Sequence, residues 1–185
     1  MIVDLTENGM LVHKLVFDNG NLMIGFLVRE DYRKRSREEG FEEYMKNCRE
    51  QVDCLFVVAA LEDCIEVCRH IRILLDNPGL MNLDADDICL VAKQGKCCSA
   101  VTGTCSLEEN LEDAMAELAK NTYVEEGRKR SCVLVSISGD VEFLECSMAA
   151  DRVCQTLDED ANVIFGLQCM PEEGKKNILL LIAEE

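Results

Sequence analysis

The stretch "PGLMNLDADDICLVAKQGKCCSAVTG", Pro78 to Gly103, decides how the chain is read. A Pro-Gly break opens it, and Asn82, Asp84, Asp86 and Asp87 crowd the positions that follow. Carboxylates there suit the start of a helix, where they accept backbone N–H groups and favour the dipole. The spacing predicts a helix over about Asp84 to Gln94, and "KCCSAVTGT" after it reads as a strand. From spacing alone three uses of the acidic loop stay open: helix capping, metal binding, and catalysis completed by another molecule. An EF-hand is disfavoured, because no glycine or terminal glutamate stands at the required spacing.

Upstream, "MIVDL" is a short apolar start, and "LMIGFLV" (Leu22 to Val28) and "CLFVVAA" (Cys54 to Ala60) are apolar runs of buried-strand type. Met10 to Phe17 reads as a short helix ended by the turn residues "DNGN". Phe41, Tyr44, Met45, Cys48 and Val52 give helical spacing to the segment Arg35 to Gln51. Leu61, Cys64, Ile65, Cys68, Ile71 and Leu75 mark one face of a long helix that stops at Asn77-Pro78-Gly79. This alternation predicts an α/β fold that opens with a partial three-stranded parallel, Rossmann-like sheet and its crossover helices, residues 1–78.

Downstream, Ser106 and Glu109 read as a capping box for a helix through Leu111, Met115 and Leu118. "SCVLVSISG" is a strand and Leu144 to Leu157 a helix. "NVIFGLQCM" and "NILLLIAEE", joined by the turn-rich "PEEGKK", read as a hairpin. Residues 79–185 are thus expected to form an α/β C-terminal domain with a mixed four-stranded sheet and helices packed on it.

The chain has 185 residues, enough for a real core, and a net charge of −17 that repels phosphates and anionic lipid. Neither nucleic acid nor a membrane is expected as a partner. No apolar run reaches the roughly 18 residues of a membrane helix, and "IVDLTENG" after Met1 lacks the pattern of a signal peptide. A cytoplasmic protein is expected. The twelve cysteines include no CxxC pair. Adjacent Cys97 and Cys98 would point to opposite faces of a strand, and most of the others lie in apolar runs. They are expected as reduced core thiols, with no disulfide and no metal. His13 and His70 are read as ordinary helix residues.

Pro78 to Gly103 resembles, without a gap, the segment of the bacterial tubulin homologue FtsZ that runs PGLINVDFADV, then a helix, then a strand ending in MGIG. "EDAMAELAKN", "SCVLVSISGD", "ANVIFGLQCM" and "NILLLIAEE" fall in order on later elements of that family. "EEGFEEYMKNCREQVDCLFVVA" and "MLVHKLVFDNGNLMIGFLV" fall on earlier ones. The resemblance covers nearly the whole chain but only the later part of the family's protein. It implies the end of a GTPase domain, a central helix and a C-terminal domain.

The resemblance also shows what is altered. Where the family has GGGTGTG, a backbone cradle for phosphates, this chain has "LTENG" (Leu5 to Gly9). The family's Phe-Glu-Gly before its arginine is lost around "YRKRSRE", and its guanine-side Pro-Asn is Ala59-Ala60. Arg33, Lys34 and Arg35 are read as the solvated start of a helix. No cofactor is therefore expected; GTP enters only if a partner subunit binds it. In the family, GTP lies between stacked subunits, and one of them inserts an NxDxxD loop whose acids position the attacking water. Here that pattern is Asn82, Asp84 and Asp87, with Ala85 and Asp86 departing from it.

The implied function is that of an FtsZ-like pseudo-GTPase, not an enzyme as an isolated chain. Its acidic loop would meet the nucleotide face of a tubulin-like partner as cap or hydrolysis modulator. The alternative is a homo-oligomeric structural protein, dimerising through a bare sheet edge at Ile2 to Leu5. A metal-dependent hydrolase using Asp84, Asp86 and Asp87 ranks last.

Overall fold

The computed structural model describes residues 4–6, 9–17, 20–77, 79–122, 127–170 and 174–185. The chain first forms the strands β1 (Asp4–Leu5), β2 (Leu11–Phe17) and β3 (Gly20–Val28), then α1 (Arg29–Arg35), α2 (Phe41–Glu50), β4 (Cys54–Val58) and α3 (Leu61–Asp76). It continues through α4 (Ala85–Lys93), β5 (Cys97–Ser106), α5 (Leu111–Lys120), β6 (Arg130–Gly139), α6 (Phe143–Cys154), β7 (Asn162–Cys169) and β8 (Lys175–Glu184). The fold is α/β, with all strands in one mixed sheet of order β1-β2-β3-β4-β5-β8-β6-β7.

Helices cover both faces of the sheet. On one face α3 and α4 pack over a core running from Leu15 and Phe26 through Phe56 and Ala100 to Leu134 and Leu181. On the other, α1 and α2 cover Leu27, Leu55 and Val57, while α5 and α6 cover Val133, Val135 and Ile182. Cys98 joins the first face and Cys97 the second, the alternation a strand imposes. The first half meets the second where β4 runs parallel to β5, paired at Val57 and Ser99.

Within this architecture several expectations are corrected. Met10 to Phe17 is not a helix: Leu11–Phe17 is β2, antiparallel to β3 and paired from Leu11↔Phe26 to Phe17↔Gly20. Its burial alternates, with His13 and Leu15 inside and Lys14 and Val16 outside, which is the period of a strand. His13 is accordingly a strand residue. β1 is also antiparallel, so only β3 and β4 of the expected parallel trio run parallel. Of the expected edge Ile2 to Leu5, Asp4–Leu5 is the edge strand β1, and Ile2 lies outside the described residues.

The helix expected from Arg35 begins at Phe41, and Arg33, Lys34 and Arg35 instead close α1. That helix has Glu30 and Asp31 in its first turn and its bases in the last, the order the helix dipole favours. On α3 the buried face runs through Cys64, Val67, Cys68, His70, Ile71 and Leu74, while Leu61 and Ile65 stand exposed.

The mixed four-stranded sheet β5-β8-β6-β7 is present, but β7 and β8 are not a hairpin. β8 lies between β5 and β6, antiparallel to both. Nine consecutive residues of β8 are buried, with Leu179 and Leu181 facing one core and Leu180 and Ile182 the other. Such a strand belongs in the middle of a sheet. β7, exposed at its start, takes the edge parallel to β6, with α6 as the crossover. Ser106 and Glu109 close a turn rather than a helix; the cap of α5 is Asn110, which accepts the Asp113 N–H at 3.1 Å. Among the described residues no helix is long and apolar enough to cross a membrane.

Candidate functional site: the acidic loop

The loop from Gly79 to Asp84 is fastened at three points. At its start, Leu80 donates its N–H to the Leu167 carbonyl at 2.8 Å, and Leu167 donates back to Met81 at 3.0 Å. The pair Met81↔Leu167 is an antiparallel bridge that ties the loop to β7. A Cβ at Gly79 would collide with the Leu167 carbonyl, so only glycine allows this approach. In the middle, the Asn82 side-chain oxygen accepts the Gly79 N–H at 2.6 Å. At its end, Asp84 Oδ1 accepts the N–H groups of Asp86 and Asp87 at 2.9 and 3.0 Å, and Asp87 Oδ2 accepts the Asp84 N–H at 3.0 Å. This is a reciprocal capping box with an acid on both sides.

The sequence-picked residues are therefore together, on one loop and the first turn of α4. Asn82 shapes the loop, and Asp84 and Asp87 cap the helix. Asn82, Asp84 and Asp86 are exposed. The capping box uses one oxygen of Asp84 and one of Asp87, which leaves the second oxygen of each outside it. The positive end of the α4 dipole lies beneath these acids, a position that favours negative side chains. A groove of about 530 Å³ runs beside Asp84 and Ala85, walled by Val16 and Phe17 of β2 and by Arg72 and Asp76 of α3. Among the described residues no group of three or more His, Cys, Asp or Glu is arranged to hold a metal ion.

In the segment standing where a phosphate cradle would be, the described residues bond to one another. Thr6 donates its N–H to the Met10 carbonyl at 2.8 Å, and Gly9 donates to Thr6 at 2.9 Å. The Met10 N–H goes to Thr6 Oγ1 at 3.2 Å. A cradle needs successive N–H groups free to face an anion, and these three are used within the chain. Glu7 and Asn8 lie outside the described residues. At the guanine-side position, Ala60 donates its N–H to Asp63 Oδ2 at 2.9 Å and starts α3.

The role of Leu167 in fastening the loop was not visible in the sequence. The contact spans most of the C-terminal half, and no local pattern marks it. Gly79 was visible only as part of a break.

No protein-family model matches the chain. Among curated proteins it is 31% identical over 125 residues to cell division protein FtsZ 1 of Thermococcus kodakarensis, an alignment covering 65% of this chain and 33% of that protein. It is 22% identical over 195 aligned positions to cell division protein FtsZ 2 of Halobacterium salinarum, covering 93% of this chain and 50% of the relative. The chain thus spans a third to a half of the length of these relatives. Among solved structures, an empty FtsZ dimer from M. jannaschii superposes with a TM-score of 0.64 at 17% identity, covering 88% of this chain and 54% of that one. CetZ from Methanosaeta thermophila superposes with a TM-score of 0.59 at 14% identity, covering 80% and 50%.

Proposed function

We propose that this chain, an FtsZ/tubulin-like protein matching the later part of its relatives, is a pseudo-GTPase that presents its acidic loop to the nucleotide face of a GTP-bearing relative. The observation that carries this is the fastened loop: exposed Asn82 and Asp84 and half-buried Asp87 are held in one array by three independent sets of hydrogen bonds. An array fixed in this way costs little further ordering when it meets a partner. The in-chain use of the Thr6, Gly9 and Met10 N–H groups supports the loss of the chain's own nucleotide site.

In this reading residues 1–78 are the remnant of a nucleotide-binding half and residues 79–185 the C-terminal half. The subunit docks at one end of a filament and offers no nucleotide face to the next subunit, so it caps the filament or alters hydrolysis at its end. A cytoplasmic place and a part in cell division or the cytoskeleton follow from such a partner.

Two measurements test this. Calorimetry of the isolated protein with GTP and Mg²⁺ should show no binding; a Kd tighter than about 10 μM, near −7 kcal/mol, would overturn the pseudo-GTPase assignment. Added to a polymerising FtsZ from the same cell, the protein should shorten filaments or change phosphate release. No association at saturating ratios would remove the filament role.

A second reading has one observation in its favour: β1 lies at the sheet edge. Pairing of that edge with a second copy would give a homodimer. Sedimentation at micromolar concentration decides, with a strict monomer ruling it out.

A further inference from the structure

Cys54, the first residue of β4, and Cys89, in the second turn of α4, stand 35 residues apart in sequence with their sulfurs 3.0 Å apart. That is within about 1 Å of the bonded separation of about 2.05 Å. Cys54 is fully buried at the sheet, whereas Cys89 is half-buried and reachable from solvent. One thiol open to a reagent and a second in contact behind it is the arrangement of an attacking and a resolving cysteine. We propose that Cys54 and Cys89 form a reversible disulfide that clamps α4, and with it the acidic loop, to the sheet.

The electrostatics support the order of events. Contact with the Cys54 sulfur, and then Lys93, draw the Cys89 thiol below its ordinary value against the opposing effect of burial. Cys54 is raised by the same contact and by burial. Cys89, the thiol of the pair that solvent reaches, is therefore the attacking thiolate. It attacks one sulfur of a small-molecule disulfide such as oxidised glutathione. The Cys89–glutathione bond forms, the glutathione S–S bond breaks, and one glutathione thiol leaves. Cys54 then gives up its proton and attacks the Cys89 sulfur, which expels the second glutathione. Two protein thiols are oxidised and one small disulfide is reduced to two thiols.

The consequence follows from position. Cys89 lies five residues after Asp84, on the helix that Asp84 and Asp87 cap. A bond there anchors the loop's helix to β4, a second tether beside the Leu167 clasp to β7. The pair forms within one chain and needs no filament partner, so its test is independent of the docking role.

The experiment treats the reduced, full-length protein with oxidised glutathione, alkylates the remaining thiols, and digests with Asp-N and trypsin. Peptides 53–62 and 87–93, each with one cysteine, should appear joined before any other pair, and dithiothreitol should release them. Cys89→Ser should leave Cys54 fully alkylated. Amide exchange over residues 85–93 should slow several-fold on oxidation and recover on reduction. A wild-type protein that keeps glutathione on Cys89 while Cys54 remains free would overturn the proposal, as would another pair forming first. Unchanged exchange in the joined protein would overturn the clamp.

Discussion

Asp84 and Asp87 hold each other's backbone: each carboxylate accepts the other residue's N–H at 3.0 Å. The two acids that the proposed function sets against water are also a helix cap. The structural and chemical roles differ in what they require. Capping needs an acceptor oxygen, which an amide also supplies; acting on water needs charge and basicity. Asp84→Ala should lose about 1 kcal/mol in urea unfolding, and Asp84→Asn only a few tenths. Equal losses in the two variants would mean that the charge, not the acceptor, holds the cap.

Gly79→Ala tests the clasp. The added methyl meets the backbone carbonyl of Leu167, which cannot rotate away as a side chain would. The loop must leave β7 and give up the Leu80 and Met81 pairings. A loss of about 2 kcal/mol is expected, with faster amide exchange confined to residues 80–84 and the end of β7. Wild-type exchange in the loop would show that β7 does not fix it.

Arg130 is a buried cation that joins three elements. Its guanidinium donates to the Ala119 carbonyl at 2.9 Å, to Thr122 Oγ1 at 2.6 Å and to Thr156 Oγ1 at 3.2 Å. It thereby ties the ends of α5 and α6 to β6, a cation at helix C-termini. Arg130→Ala should cost about 3 kcal/mol and Thr122→Val about 1 kcal/mol. The double variant should cost less than the sum, because the two share one bond. Additive losses in chemical denaturation would place the two residues in separate networks.

The buried thiols set an alkaline limit. Burial pushes Cys64 up to about 11 and Cys68 and Cys146 up to about 12, from an ordinary value of 9.0. The unfolded chain releases these protons above pH 9, while the folded chain keeps them until pH 11 to 12. Stability is therefore complete below pH 9 and falls as pH rises through that window. Each such thiol contributes a slope of about 1.4 kcal/mol per pH unit. Urea midpoints should be flat from about pH 7 to 8.5 and fall steeply beyond 9. Cys68→Ala should shallow that fall, and an unchanged slope would discount its burial.

What the sequence showed and hid follows from the range of each interaction. The loop and α4 were legible because Asn82, Asp84 and Asp87 bond within a few residues of themselves. Met10 to Phe17 misled because seven alternating residues satisfy a short helix or a strand until a neighbour is known; β3 supplies that neighbour. β8 was legible as a strand, yet its place between β5 and β6 depends on both faces being buried. Gly79 on Leu167 and Cys54 beside Cys89 join distant segments, and no spacing rule reaches that far.

The last prediction separates docking from chemistry at the acidic loop. Suppose the protein raises GTP turnover by a polymerising relative. Asp84→Asn and Asp87→Asn then remove charge and basicity while keeping size, cap geometry and nearly all stability. The gain in phosphate release should fall at least tenfold, about 1.4 kcal/mol of transition-state stabilisation. Filament shortening should persist, because the loop remains fastened by Asn82 and Leu167. Asn82→Ala should affect both readouts. It loosens the loop at Gly79 while leaving both carboxylates charged, so shortening should weaken together with turnover. If the Asn variants keep the full gain in turnover, the carboxylates act only as a cap, and the water is positioned by groups on the partner's side.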